Sequence, residues 1–441
     1  MENPVKGTHD IVGLEAEMYS EIEHRCRYVA AMFGYQEIRT PILEHTPLFL
    51  RSVGESSDIV HKEMYTFDDK GGRSVTLRPE MTAGVMRSIV SNKLYALADL
   101  PLKYFYLGPC FRYERPQAGR YRQFHQFGVE CVGAPSAYLD AETINLGFSC
   151  LQACGLSPKL KINSLGDEES RENYRQALKE YFAKYIDKMC PDCKRRYEVN
   201  PLRILDCKVP EDIEIVKGAP KLHDYLSESA KAYLDQVISI LKDYEIEAEI
   251  DDNLVRGLDY YTGVVFEYHA EDDPELANVG ALGGGGHYAH LLKDVGGPDL
   301  EGVGMSLGLE RVQYLFEHYN GAAFRGVGID LFIMPMDEKF IPAAALLVNN
   351  LRSEGFISEM CYEPKSLKSL FKLATKKKAK FAIILGEDEF NKGEFTVKNL
   401  SNEVQTKVRG EELVHSLRSM MEEYLRTEEF GFLGLEDKAH E

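Results

Sequence analysis

The sequence predicts a mixed α/β protein with an antiparallel-sheet domain, a helical insertion within that domain and a smaller α/β domain after it. Three observations support this prediction. Two aromatic-rich runs around a loop with Pro116 and Gly119 have the pattern of a long β-hairpin. Residues 167–247 are charged and amphipathic with helical spacing. From residue 326 onwards, short apolar runs alternate with helical segments.

Composition and charge limit the class of protein and its partners. The 441 residues are 44% hydrophobic and 28% charged, which suits two or three globular domains. The net charge of −19 argues against binding nucleic acid over the whole surface, so such a partner would need a local basic patch. The sequence shows no signal peptide and no long apolar run, and it has nine cysteines. We therefore expect a cytoplasmic protein with reduced thiols and no membrane contact.

The N-terminal part predicts a helix followed by two strands. Apolar residues recur at helical spacing from Leu14 to Phe33, and Gly34 follows as a helix stop. The next segment is extended, and Pro41 within it favours an edge or interface strand. The stretch "SVTLRPEMTAGVMRSIV" predicts a strand that ends near Pro79 and is followed by a helix.

The hairpin has predicted strands over residues 103–113 and 121–132. Side chains alternate between the two faces of a strand. One face of the second strand carries Arg122, Phe124, Gln126, Gly128 and Glu130, and the more apolar face carries His125, Phe127, Val129 and Cys131. Because Gly128 has no side chain, we predict that this face of the strand leaves room for a small ligand. The alternative is a solvated sheet face with scattered polar residues.

The loop of the hairpin is rich in arginine. Arg112, Arg115, Arg120 and Arg122 surround it, and arginine suits bidentate recognition of phosphate. Glu114 would hold a guanidinium group or bind the edge of a base. A P-loop does not compete as the phosphate site, because the sequence has no Gly-Lys dipeptide. The alternative is an ordinary charged turn on the surface.

Two further arginines stand in apolar surroundings. Arg256 in "RGLDYYTG" lies beside Tyr260 and Tyr261, and an arginine in such a strand needs a partner or a function. Arg311 in "GMSLGLERV" lies at the predicted start of a helix. The alternative is that both arginines are simply exposed to solvent, Arg256 at the end of a strand and Arg311 on a helix. The nearby "LGGGGHYAHLL" would let a backbone approach a ligand, but it is a weak dinucleotide fingerprint.

A cluster of cysteines lies outside these motifs. Cys190, Cys193 and Cys207 place three thiols in the insertion, but zinc usually has four ligands and the candidate for the fourth, His223, is distant. Free structural thiols are favoured, so we predict no metal-binding residues.

A basic cluster occurs in the C-terminal part. Lys365, Lys368, Lys372 and Lys376 are spaced for one helix face, which would contact RNA phosphates. The alternative is a solvated helix face.

Together these motifs resemble the histidyl-tRNA synthetase family of class II aminoacyl-tRNA synthetases over nearly the whole chain. The stretch "FRYERPQAGRYRQFHQFGVE" is similar to the second class II motif, and "GLER" is similar to the end of the third. The stretch "RGLDYYTG" is similar to the histidine-specific signature. The segment around Pro41 resembles the first motif, which lies at the dimer interface in this class.

The resemblance implies a domain organisation. A class II catalytic domain with an antiparallel sheet would span residues 1–325 and contain the helical insertion at 167–247. An anticodon-binding α/β domain would span residues 326–428, and an acidic tail would follow at 429–441.

The resemblance also implies a reaction and its residues. A homodimer would use ATP and Mg²⁺ to activate L-histidine as histidyl-adenylate, and would then transfer it to the 3′ end of tRNA(His). Arg256 and Arg112 would be catalytic. Histidine would be bound by Glu80, Thr82, Arg112, Gln126, Glu130, Arg256, Tyr260 and Tyr261, ATP by Arg112, Glu114, Arg120 and Arg311, and tRNA by Lys365, Lys368, Lys372 and Lys376.

Three positions depart from the family pattern. Met81 stands where glycine is usual, and His287 and Ala289 alter the usual "GGRYD", next to the expected pocket. Two alternative functions share the fold: a histidine-binding regulatory subunit of ATP phosphoribosyltransferase, and a non-catalytic tRNA-binding sensor. The intact arginines, the signature and the basic C-terminal domain favour the ligase.

Overall fold

The chain forms two structural units, residues 1–324 and residues 325–441. The computed structural model describes residues 2–54, 57, 59–97, 99–116, 119–256, 258, 260–270, 280–321, 324, 326 and 328–432. The predicted acidic tail beyond Phe432 lies outside these residues. No helix in the described ranges is long and apolar enough to cross a membrane.

The first unit contains two sheets. Its strands are β1 (Gln36–Glu37), β2 (Leu43–His45), β3 (Tyr65–Asp68), β4 (Ser74–Leu77), β5 (Leu102–Phe111), β6 (Gln123–Val132), β7 (Lys159–Ser164), β8 (Ala248–Ile250), β9 (Val264–His269), β10 (Gly283–Tyr288) and β11 (Gly302–Gly308). The large sheet has the order β1-β5-β6-β11-β10-β9-β7-β8. Its inner pairs are antiparallel, and only the outer pairs β1–β5 and β7–β8 are parallel.

Helices pack against this sheet and fill the insertion. They are α1 (Leu14–Met32), α2 (Thr46–Val53), α3 (Thr82–Ser91), α4 (Ala137–Ala153), α5 (Glu168–Phe182), α6 (Pro191–Val199), α7 (Pro210–Val216), α8 (Glu228–Asp243), α9 (Leu291–Asp294) and α10 (Leu309–Asn320). Short 3₁₀ turns span Leu94–Ala96, Ile186–Lys188, Pro201–Asp206 and Leu222–Tyr225, and a π-helical turn spans Ile59–Glu63. Helices α5 to α8 lie between β7 and β8, where the sequence predicts a helical insertion.

The hairpin β5–β6 has the face alternation that the sequence predicts. Phe127, Val129 and Cys131 are fully buried in one apolar core with residues of α1, α4, α8 and α10. The strands are shorter than predicted, because regular pairing ends at Phe111 and Gln123. The opposite face of β6 is therefore free to form the floor of a site.

A small sheet of order β2-β4-β3 has one apolar face. Thr66 and Thr76 point to its other face, where the Thr76 hydroxyl lies 2.9 Å from that of Thr66 and 2.9 Å from that of Thr46. By alternation, the mainly apolar face carries Leu43, Tyr65, Phe67, Val75 and Leu77, and also His45. Leu43 and Phe67 are about half exposed, at 49% and 48%. Exposed apolar faces of this kind often mark interfaces.

The second unit is a five-stranded mixed sheet with helices. Its strands are β12 (Leu331–Pro335), β13 (Ser358–Met360), β14 (Phe381–Leu385), β15 (Glu394–Asn399) and β16 (Gln405–Arg409), in the order β13-β12-β14-β15-β16. Its helices are α11 (Ile341–Ser353), α12 (Leu367–Lys376), α13 (Glu387–Lys392) and α14 (Leu413–Phe432), with 3₁₀ turns at Glu338–Phe340 and Gly410–Glu412. Helix α14 continues past residue 428, where the sequence analysis begins the tail.

Candidate active site

A cavity of about 480 Å³ lies on the polar face of the large sheet. Its walls come from the loop before α3, the β5–β6 hairpin, the signature segment before β9, the glycine-rich strand β10 and the junction of β11 with α10. The sequence places these segments far apart along the chain, and the sheet order brings them together. Most of the residues predicted to bind histidine or ATP line this one cavity.

Four arginines converge on the cavity. Arg112, Arg120, Arg256 and Arg311 all line it. The convergence of Arg112, Arg256 and Arg311 is the arrangement that a triphosphate requires, since fixed guanidinium groups bind phosphate oxygens in pairs. The structure thus brings these arginines to one cavity, and their role in binding ATP stays a prediction.

Arg112 and Glu114 are held in place by the end of the hairpin. The Nε of Arg112 donates to the carbonyl of Pro79 at 2.8 Å, and its guanidinium lies 5.1 Å from the centre of the Phe124 ring. The Glu114 carboxylate lies 3.4 Å from Arg120 and 4.0 Å from Arg112. Glu114 thus separates two cations that face the same space.

Arg311 is brought to the cavity by the start of α10. Its Nη1 donates to the carbonyl of Ala281. A Cβ at Gly119 would lie 2.9 Å from Cγ of Arg311, and the φ of Gly119 is +66°, so glycine is required at this close approach. Burial lowers the pKa of Arg311, and the charge of Arg120 lowers it further. An anion between these groups would relieve their repulsion.

Arg256 is oriented by an ion pair that the sequence analysis missed. Its Nη1 donates to Oε1 of Glu267 on β9, and Glu267 also contacts the Nε2 of His269 at 3.1 Å. Burial alone would lower the pKa of Arg256, but the charge and hydrogen bond of Glu267, together with Tyr260 and Tyr261, outweigh burial and raise that pKa. The Nε of Arg256 is buried and has no hydrogen-bond partner among the described residues.

Glu80 is the acidic counterpart of Arg256 in the cavity. Its Oε1 accepts from the backbone N–H of Ala83 at 3.0 Å, whereas its Oε2 is buried without a hydrogen-bond partner in the described part of the chain. Burial raises the pKa of Glu80. A buried carboxylate oxygen without a donor is costly, so a cationic or N–H-bearing ligand would be stabilised here.

Glu130 accepts hydrogen bonds from residues that line the cavity, and its direct contact with the imidazole of histidine stays a prediction. Its Oε1 accepts from Thr82 at 2.6 Å and from Tyr106 at 3.1 Å, and its Oε2 accepts from Tyr288 at 2.8 Å. Two of these donors, Thr82 and Tyr106, line the cavity. Burial raises the pKa of Glu130 to about 8 despite the hydroxyl donors.

The space above Gly128 is also occupied, contrary to the prediction of an open floor. Gly128 pairs with Tyr106 across the hairpin. A Cβ at Gly128 would lie 2.5 Å from the Tyr106 hydroxyl oxygen, so the glycine makes room for a phenol ring. Tyr106 thus forms the floor of the cavity.

The remaining predicted histidine-binding residues are wall residues. Gln126, Tyr260 and Tyr261 line the cavity. The rings of Tyr260 and Tyr261 pack with centroids 4.5 Å apart, and the Arg256 guanidinium lies 5.8 Å from the centre of the Tyr261 ring. These rings form a wall beside Arg256.

Comparison with known protein families assigns the chain. The family model for histidyl-tRNA synthetase matches residues 7–312, and the model for an anticodon binding domain matches residues 330–420. The chain belongs to the histidyl-tRNA synthetase family. The resemblance and the fold class that the sequence predicts are therefore confirmed.

Individual relatives agree with this assignment. A histidine–tRNA ligase from Bacillus subtilis is 44% identical over 418 residues, covering 95% of this chain and 98% of the relative. A structure of apo S. aureus histidyl-tRNA synthetase has a TM-score of 0.80 and 37% identity, covering 95% of this chain and all of that one. A Bacillus halodurans structure described as an ATP phosphoribosyltransferase regulatory subunit/histidyl-tRNA synthetase has a TM-score of 0.61 at 22% identity, with 87% and 97% coverage, and shows the fold alone.

The three departures from the histidyl-tRNA synthetase pattern lie outside the cavity lining. Met81 is buried in the apolar core that includes Tyr106 and Tyr288. His287 is buried between two acids, with Nδ1 3.2 Å from Asp140 and Nε2 2.8 Å from Glu301. Burial alone would lower the pKa of His287, but its hydrogen bonds to these acids outweigh burial and raise that pKa to about 9. Ala289 does not line the cavity either.

The predicted tRNA-binding lysines lie in the second unit. Lys368, Lys372 and Lys376 are exposed on α12, and Lys365 is exposed just before it. Helix α12 begins at Leu367, after the cap residue Ser366, so the prediction that Lys365 belongs to the helix is wrong. The cluster remains a continuous basic strip on the anticodon-binding unit.

Proposed function

We propose that this protein is a histidine–tRNA ligase that works in two steps. In the first, a carboxylate oxygen of L-histidine bonds to the α-phosphorus of ATP and pyrophosphate leaves. In the second, the 3′-terminal ribose hydroxyl of tRNA(His) bonds to the carbonyl carbon and AMP leaves. Family membership and the near-complete match to histidine–tRNA ligases support the reaction.

The observation that carries the proposal is a pair of unpartnered polar atoms on one cavity. Glu80 offers a buried carboxylate oxygen, and Arg256 offers a buried guanidinium N–H, each without a hydrogen-bond partner among the described groups. An amino acid carries the complementary ammonium and carboxylate groups. Glu80, with Gln126 and Thr82 beside it, would hold the α-amino group, and Arg256 would hold the α-carboxylate.

The arginines would stabilise the first step. Negative charge is spread over phosphate oxygens as the α-phosphorus is attacked, and preorganised cations stabilise that charge. Arg112 and Arg256 would stabilise the charge at the reacting α-phosphate, whereas Arg120 and Arg311 would bind the outer phosphates. Glu114, held between Arg112 and Arg120, would accept from the adenine amino group.

Recognition of the imidazole would come from hydroxyl groups backed by Glu130. When Glu130 is ionised, Thr82 and Tyr106 donate their protons to it and present oxygen lone pairs to the ligand. An imidazole N–H would donate to these oxygens, and Tyr261 would contact the other side of the ring. An apolar analogue would leave these polar groups unpaired and would be rejected.

Mg²⁺ fits the cavity as a companion of ATP. Oxygen ligands suit this ion, which binds proteins through few carboxylates and keeps most of its contacts with phosphate and water. Glu310 lines the cavity, and its Oε1 accepts from the backbone N–H of His125 at 2.7 Å. Glu310 would hold the ion, which would supply positive charge to the phosphates.

The second unit and the small sheet support two finer proposals. The basic strip on α12 would bind the tRNA backbone near the anticodon, in keeping with the anticodon-binding match. The apolar face of the small sheet, with Leu43 and Phe67 half exposed, would be covered by the same face of a second copy in a homodimer.

The nine free cysteines suit the reducing cytoplasm.

Histidine-dependent exchange between ATP and pyrophosphate, followed by charging of tRNA(His), tests the function. The ligase requires both activities. Histidine binding without exchange would support the regulatory subunit, and tRNA binding without exchange would support the passive sensor. No structural observation favours either of these alternatives.

A further inference from the structure

The helical insertion brings together four potential metal ligands. Cys190 precedes α6, Cys193 lies in its first turn, Cys207 directly follows the 3₁₀ turn Pro201–Asp206, and Asp212 lies in the first turn of α7. The ligand atoms of these four side chains all lie within 4.8 Å of one another. His223, the fourth ligand considered from the sequence, is exposed and lies outside this group.

We propose that Cys190, Cys193, Cys207 and Asp212 hold a structural zinc ion. Thiolate-rich sites of four ligands select zinc over magnesium or calcium. Two sulfur atoms bound about 2.3 Å from one tetrahedral ion lie roughly 3.8 Å apart. The Sγ atoms of Cys190 and Cys207 are 3.9 Å apart, so this pair already has the spacing that the ion requires.

The carboxylate is placed as the fourth ligand. Oδ2 of Asp212 lies 3.2 Å from Sγ of Cys207 and accepts from the backbone N–H of Cys190 at 3.1 Å. Asp212 is 2% exposed, and Cys193 is fully buried. Without a cation, this arrangement buries an acid among three weak thiol donors, whereas a zinc ion would neutralise part of the charge and use all four groups.

The backbone supports thiolates at this position. The N–H of Cys193 donates to Sγ of Cys190 at 3.4 Å, and Cys190 caps the N-terminus of α6, where the helix dipole favours negative charge. Lys194, Arg195 and Arg196 follow directly in the sequence. These features would stabilise the net negative charge of a site with three thiolates and one carboxylate.

The proposed zinc site adjoins a contact between the insertion and the edge of the active site. Asp192, between the first two cysteines, contacts Lys62 at 2.9 Å. Lys62 belongs to the π-helical turn Ile59–Glu63, whose Glu63 carbonyl accepts from the N–H of Tyr113 at 2.7 Å, and Ile59 lines the cavity. The site would therefore be structural, and its loss would affect the cavity only indirectly.

Elemental analysis of the full-length protein, grown with added zinc and purified without chelators, tests this inference. We expect about one zinc per chain in the wild type, and loss of that zinc in Cys193→Ser and Cys207→Ser. Asp212→Asn should keep three ligands and release zinc to a chelator faster than the wild type does. The matched control is Cys154→Ser. Cys154 is a buried thiol in the apolar core with α1 and α4, away from the proposed site, so this variant should keep its zinc.

A measurement on the wild type alone removes dependence on the folding of variants. Replacement by Co²⁺ should give thiolate-to-cobalt charge-transfer absorption and the visible bands of a tetrahedral site. A wild-type protein without bound zinc and without these bands overturns the inference. A disulfide between Cys190 and Cys207 in peptide mapping of the freshly purified protein also overturns it.

Discussion

The guanidinium of Arg256 is fixed by the Glu267 carboxylate, while its Nε–H is buried without a hydrogen-bond partner among the described residues. One side of the cation is thus used for orientation and the other remains available for a ligand. Such preorganised cations contribute to catalysis because they need no reorganisation when charge develops.

Replacing Arg256 should therefore affect chemistry more than binding. We expect Arg256→Ala to lower the rate of histidine-dependent pyrophosphate exchange by about 100-fold or more, with histidine affinity changed much less. Glu267→Gln should lower the rate by about 10-fold, because the guanidinium loses its orientation. The exposed Arg39 supplies the control Arg39→Ala, and an unchanged exchange rate in Arg256→Ala would refute the role.

Glu80 should determine affinity for the amino group of histidine. Glu80→Gln keeps the shape but removes the charge that meets the ammonium. A charged hydrogen bond is worth about 1.5–3 kcal/mol, so the KM for histidine should rise by about 10- to 100-fold. The KM for ATP should change little, and an equal rise in both constants would point to general damage of the cavity.

Tyr106 and Tyr288 form a matched pair for testing imidazole recognition. Both donate to Glu130, but only Tyr106 lines the cavity. Tyr106→Phe should raise the KM for histidine by about 10-fold or more, whereas Tyr288→Phe should mainly lower the free energy of unfolding. If both variants bind histidine as the wild type does, Tyr106 does not contact the ligand.

His287 should make stability depend on pH. Its pKa rises from 6.5 to about 9 on folding, so the protonated form stabilises the folded state. That contribution is fully present below pH 6.5 and is lost as pH rises to about 9, and it amounts to about 3 kcal/mol at about 1.4 kcal/mol per pKa unit.

Denaturant unfolding from pH 6 to pH 9.5 measures this effect. The wild type should lose stability over this range, and His287→Gln should show a flatter profile. The exposed His290 supplies the control His290→Gln, which should follow the wild type. A wild-type stability that stays constant or increases between pH 6.5 and 9 contradicts the prediction.

The basic strip on α12 should contribute to tRNA binding through charge alone. Replacing Lys368, Lys372 and Lys376 by glutamine should weaken tRNA(His) binding and reduce the slope of its salt dependence by about 2. Pyrophosphate exchange should stay normal. The control replaces three exposed lysines elsewhere in the unit, Lys339, Lys392 and Lys407. Equal tRNA affinity in both triple variants would identify the strip as a solvated face.

The sequence predicts the parts of the site that depend on local pattern. Alternation in the hairpin correctly assigns Phe127 and Val129 to the core and Gln126 to the cavity, because a strand fixes which side chains share a face. The same reasoning fails at Gly128. The space beside this glycine is filled by the Tyr106 side chain from the neighbouring strand, and only the register of the hairpin reveals this.

The partners missed from the sequence lie 11 and 22 residues from their contacts, on different elements of the fold. Glu267 on β9 contacts Arg256 in the segment before that strand, and Asp212 on α7 contacts Cys190 at the start of α6. For Glu267, the only sequence feature that indicates a partner for an arginine is the presence of an acid within the apolar run of β9. For Asp212, the usual spacing rules for zinc sites look for cysteine and histidine, so they do not indicate this residue as a ligand.

The glycine-rich strand β10 gives one wall of the cavity an unusual property. Gly283 and Gly284 line it, and a Cβ at any of residues 283–286 would lie between 2.0 and 2.8 Å from a backbone oxygen of an adjoining strand. An inhibitor that rests on this wall would meet main-chain atoms that no point mutation can alter without displacing the sheet. Drug resistance by substitution would then have to arise elsewhere in the cavity.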